Sequence, residues 1–106
     1  MLNAEEMANL MIDLYRRSEN KTKGKYLLSV EQFKTLSGRI ALHDAYILKV
    51  AKCLLVEGFV LINLRDVTDG VVAVIAVSTI MKRFQELEDD LIQEFVHTPE
   101  YDDDEW

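Results

Sequence analysis

Cysteine, proline and glycine are scarce in this 106-residue chain: one, one and four residues. A single cysteine, Cys53, rules out an internal disulfide, and its place in an apolar run suits a buried thiol acting as a small hydrophobe. The few breakers punctuate the sequence at Gly24, Gly38, Gly58, Gly70 and Pro99. Long apolar runs are lacking as well. The longest, residues 71–77, falls far short of the ~20 residues that a membrane helix needs. The opening MLNAEEMANL is acidic, with no basic stretch leading into an apolar one. These absences predict a cytoplasmic chain that does not enter membranes. Catalytic signatures are missing too: there is no Gly-rich phosphate loop, CxxC, HExxH or GxSxG. His43 and His97 lie far apart in sequence. Asp102, Asp103, Asp104 and Glu105 lack the glycine and spaced ligands of a calcium loop. The expectation is a protein that is not an enzyme, with no metal, no cofactor and no small-molecule substrate.

Cations are outnumbered twelve to nineteen, a net charge of −7, but they are unevenly placed. Residues 16–52 hold nine cations against three anions, whereas residues 53–106 hold three against thirteen. Such asymmetry predicts a polyanion-facing surface joined to an acidic region.

One domain is expected over 1–97. Asn3 and Glu6 form a capping-box pattern, and Met7, Leu10, Met11 and Leu14 follow helical spacing, which predicts a helix over 4–18. SENKTKGK at 18–25 reads as a mobile basic loop. Tyr26, Leu27 and Leu28 suggest a short strand. Ser29 and Gln32 form a second capping box, opening a short helix with Val30, Phe33 and Leu36 inward, and Ser37-Gly38 ends it. A third helix is expected to start between Arg39 and Asp44 and to run to Glu57. It would turn Ile40, His43, Ile47, Val50, Ala51 and Leu54 to the core, and Ala41, Ala45, Lys49 and Lys52 outward. FVLINLR and VVAVIAV, separated by DVTDG, predict an antiparallel hairpin. Ser78 or Thr79 would cap a last helix over 79–96, with Ile80, Phe84, Leu87, Leu91 and Phe95 along one stripe. Residues 98–106 read as an acidic flexible tail.

This order of elements, with the Ser29 cap, the Ser37-Gly38 turn and Gly58 before the hairpin, resembles the winged helix-turn-helix superfamily. LSGR, DAYILKV and EGFVLINL are similar to small bacterial and phage proteins of that class. The resemblance covers about residues 4–77 and implies an α+β fold: a winged helix-turn-helix with a two-stranded wing, an extra C-terminal helix and an acidic tail. It also implies a dimeric, DNA-binding transcription regulator that lays helix 39–57 in the major groove. Arg39 would face a guanine, and Lys21, Lys23, Lys25, Lys34, Lys49 and Lys52 would hold phosphates of double-stranded DNA. Ile80, Phe84, Leu87, Leu91 and Phe95 would form the interface of a homodimer. Two alternatives stay open. One is a protein-interaction adaptor using the apolar hairpin and last helix; the other is a DNA mimic using the acidic C-terminal half. The acidic tail would fold back on the cations and compete with DNA.

Overall fold

The computed structural model describes residues 1–97 apart from Asp69, together with Pro99, and treats Glu19 and Thr22 by backbone alone. Helix α1, Ala4–Thr22, starts as its capping box dictates. The Asn3 amide donates to Glu6 Oε1 at 3.0 Å, and the Glu6 amide donates to Asn3 Oδ1 at 2.8 Å. Its buried stripe is Met7, Ala8, Met11 and Ile12, with Leu10 and Leu14 half-buried beside it. The helix continues through residues 18–22, which corrects the expected loop there. The Ser18 hydroxyl donates to the Leu14 carbonyl at 2.6 Å, so a polar residue sits in the helix without opening it. The turn that ends α1 needs left-handed backbone at both Lys23 and Gly24, with φ of 52° and 91°.

Strand β1, Lys25–Ser29, leads straight into α2, Val30–Ser37. The second capping box forms as expected: the Ser29 side chain accepts from the Gln32 amide at 3.0 Å, and the Gln32 side chain accepts from the Ser29 amide at 2.9 Å. Gly38 closes α2 in the left-handed conformation. Helix α3 spans Asp44–Val56, starting at the late limit of the expected range. Residues 39–43 lie outside it, so the 100° spacing does not extend back to them. Ile40 is therefore 95% exposed, and His43 is an exposed N-cap rather than a core residue. Tyr46, Ile47, Val50 and Leu54 form the buried side of α3.

Strands β2, Phe59–Asn63, and β3, Val71–Ala76, pair antiparallel in the expected hairpin. Strand β1 adds to the other edge of β3, Lys25 opposite Ile75, so the sheet order is β1-β3-β2. Alternation along the strands turns Leu28, Val72, Val74 and Ala76 inward, where α1, α3 and Phe33 of α2 cover them. Each buried valine stabilises the fold by roughly 1.5–3 kcal/mol. The protein is thus α+β, with α1, α2 and α3 layered on one face of a three-stranded antiparallel sheet.

The last expected helix is not continuous. Helix α4, Val77–Arg83, begins at Val77 rather than at a Ser78 or Thr79 cap, because carbonyls of Gly58 and Gly24 take the Val77 and Ala76 amides at 2.9 Å each. The chain is then extended at Phe84, and a five-residue helix, α5, follows at Asp89–Gln93. Every residue from 81 to 97 is exposed. An apolar repeat holds a helix only when its stripe packs on something, and segments this short are marginal by propensity alone. The acidic tail, Pro99 excepted, lies outside the described residues.

Candidate functional surfaces

The fold divides the cations that the sequence places close together. Lys49 and Lys52 stand one turn apart on the exposed side of α3. With Arg39, Tyr46 and Asn3–Glu5 they line a cleft of about 520 Å³ at the start of α1. Lys23 lies at the other end of α1, lining a polar cleft of about 500 Å³ with Ser78, Thr79, Lys82 and Arg83. Lys21 and Lys25 border the adjoining sheet face. Glu5 and Lys21 are sixteen residues apart on one helix, so the two groups are separated by ~24 Å. Lys82 and Arg83 belong to this second group, which sequence proximity does not reveal.

Two of the expected DNA contacts are engaged within the fold. The Arg39 guanidinium lies 3.6 Å from the centre of the Tyr46 ring and donates to the Leu2 carbonyl at 3.0 Å. The Tyr46 hydroxyl donates to that same carbonyl at 3.0 Å, and its ring meets Phe33 edge-on with centroids 6.3 Å apart. Arg39 therefore fastens the N-terminus to α3. Lys34 is mostly covered and sits 3.5 Å from Glu31. At the hairpin loop, Arg65 pairs with Asp44 and donates to the Leu42 carbonyl at 3.3 Å, which ties the loop to the first turn of α3. No periodicity in the sequence signals the contacts of Arg39 with Leu2 or of Arg65 with Leu42 and Asp44, because those partners lie 21 or more residues away.

The outer side of α3 is also apolar. Leu48, Leu55 and Val56 are 56%, 59% and 84% exposed, forming a ridge beside Lys49 and Lys52. The sheet face turned away from the helices presents Leu27, Ile62, Ala73 and Ile75 around a depression of about 610 Å³. Of the expected dimer residues, Ile80 is half-buried, while Phe84, Leu87, Leu91 and Phe95 are exposed; no single helical stripe unites them.

Among the described residues, no group of three His, Cys, Asp or Glu side chains could hold a metal ion. No described helix is long and apolar enough to cross a membrane. Cys53 is a half-buried free thiol, and Tyr26, whose hydroxyl donates to the Met11 carbonyl at 2.8 Å, has its ionisation pushed up by burial. The chain matches no family model, no curated protein and no solved structure.

Proposed function

We propose that this chain is a protein-interaction module on a winged helix-turn-helix scaffold, with the outer side of α3 as its working surface. The sheet order β1-β3-β2, with α2 and α3 inserted between β1 and β2, supports that scaffold. The observation that carries the function is the exposure of Leu48, Leu55 and Val56 on a helix whose other side is fully anchored in the core. Apolar side chains gathered in one exposed patch mark a contact surface. Lys49 and Lys52 beside them select an acidic, apolar partner segment.

A second reading is double-stranded DNA binding, favoured by Lys49 and Lys52 on the open side of the second helix of the α2–α3 pair. With Arg39 occupied by Tyr46 and no Asn or Gln on α3, such binding would be held by phosphates rather than base edges. Titration of a fluorescent random-sequence duplex, followed by anisotropy at low and moderate salt, separates the two readings. The interaction reading expects no binding. Binding that falls by orders of magnitude between those salts and disappears in Lys49→Glu overturns it. A photo-reactive residue at position 48 tests the first reading directly. It expects a cross-linked partner that Leu55→Asp abolishes while the circular dichroism spectrum stays unchanged.

A further inference from the structure

We propose that the acidic segment 84–97 of one copy covers the outer sheet face of a second copy, and receives that copy's segment on its own sheet. The solvent face of an antiparallel sheet is ordinarily polar, whereas here it is apolar. Leu27 is 63% exposed and Ile62 44%, with Ile75 and Ala73 between them in the central strand. The same chain carries an apolar segment that no described residue covers: Phe84, Leu87, Leu91 and Phe95 are exposed by 43–70%.

Charge selects the pairing. Residues 84–97 contain five anions and no cation. Residues 1–83 contain twelve cations and nine anions, a net +3, and Lys21 and Lys25 border the depression on the sheet. An anionic apolar strip and a cation-rimmed apolar face are therefore both present, unpartnered, in one molecule. Exchange about a two-fold axis occupies both in each copy through a single kind of contact, and closes the assembly at two. Size is adequate. The two phenylalanines, at roughly 200 Å² each, contribute about 280 Å² per segment at their present exposure. The leucines and the sheet face that each copy adds bring the contact into the range of ~800 Å² per partner seen in stable interfaces. This surface is separate from the α3 ridge, so the two proposals stand or fall independently.

Sedimentation velocity of the full chain, at tens-of-micromolar concentration, tests the exchange. The wild type is expected at twice the chain mass. Leu27→Asp on the sheet and Phe84→Asp/Phe95→Asp on the segment should each give single chains, with circular dichroism matching the wild type, because all three positions are exposed. Mixing the two variants should restore a dimer in part, since one segment-on-sheet contact stays intact in the mixed pair. Lys21→Glu/Lys25→Glu, which leaves apolar packing alone, should weaken dimerisation at least tenfold and remove much of its salt dependence. A wild type that sediments as single chains overturns the proposal, whether the segment folds back on its own sheet or stays free. A dimer that survives Leu27→Asp and Lys21→Glu/Lys25→Glu also overturns it, and shows the segments pairing with each other.

Discussion

Arg39 should matter to stability before it matters to any ligand, and Arg39→Lys measures the difference. The guanidinium is stacked 3.6 Å from the Tyr46 ring centre and bonded to the Leu2 carbonyl at 3.0 Å. A cation over an aromatic face contributes about 1 kcal/mol when partly desolvated. A hydrogen bond from a charged donor contributes about 1.5 kcal/mol or more. Arg39 is only half-buried, so solvent screening reduces the sum. The Leu2 carbonyl also keeps the Tyr46 hydroxyl as a donor, so the mutation leaves no orphaned acceptor there. The net expectation is a loss of about 2 kcal/mol for Arg39→Ala. Arg39→Lys should lose most of this, because an ammonium lacks the planar stacking surface and the fork of donors. For a domain of this size, that corresponds to a fall in Tm of roughly 10 °C. Urea and thermal unfolding followed by circular dichroism give both numbers. If Arg39→Lys melts within ~2 °C of the wild type, the stack is not holding the N-terminus to α3, and the arginine is free for an external role.

Gly24→Ala should destabilise by about 2 kcal/mol in urea unfolding, since a left-handed φ of 91° disfavours any side chain and a Cβ there would collide with Thr79 Oγ1. Adding Thr79→Ala should recover the part due to collision and leave the part due to backbone strain. Tyr26 is held neutral by burial, so its folded-state ionisation lies above that of the unfolded chain. Its contribution is complete below the unfolded phenol's ordinary value of 10.0 and declines above it. Urea midpoints from pH 7 to 11 should therefore fall less steeply in Tyr26→Phe, at a cost of about 1 kcal/mol at neutral pH for the lost bond to Met11. The two sides of α3 should separate cleanly in the same assay. Leu54→Ala, at a fully buried position, should cost about 2–5 kcal/mol, and Leu48→Asp about 0.5 or less. A cost at Leu48 approaching that at Leu54 would mean the ridge belongs to the core.

Local signals in this sequence are strong enough to place most elements. Asn3 with Glu6 and Ser29 with Gln32 each close a reciprocal box, so two helix starts could be read directly. Gly38 and Gly58 both adopt left-handed φ, which marks the ends of α2 and α3. The inward alternation of β3 follows from the strand's pleat, with helices covering only one face of the sheet. Errors arose where a local pattern competed with a distant partner. Ile40 and His43 continue a helical spacing, but the chain there lies outside the helix, with the neighbouring Arg39 turned onto Tyr46 and Leu2. Residues 18–22 look like a polar loop, yet backbone bonding carries α1 through them. The stripe from Ile80 to Phe95 has good spacing and no surface beneath it, so spacing alone did not make a helix.

The candidate surfaces were harder to read for the same reason. Nine cations within residues 16–52 suggest one polyanion-binding face, but α1 separates Lys49 and Lys52 from Lys21, Lys23 and Lys25 by most of its length. Arg39, Arg65 and Lys34 are engaged with groups of the chain itself. Counted with these three, residues 1–83 form a cationic body of net +3 joined covalently to a segment, 84–97, of net −5. In the exchanged dimer proposed above, that segment would lie beside Lys21 and Lys25 of the second copy, leaving Lys49 and Lys52 open at the far end of α1. Two lysines offer a polyanion little more than charge at that open site, whereas an acidic partner that also carries apolar side chains can gain the α3 ridge in addition. This asymmetry favours a partner that brings hydrophobic contacts over one that brings charge alone.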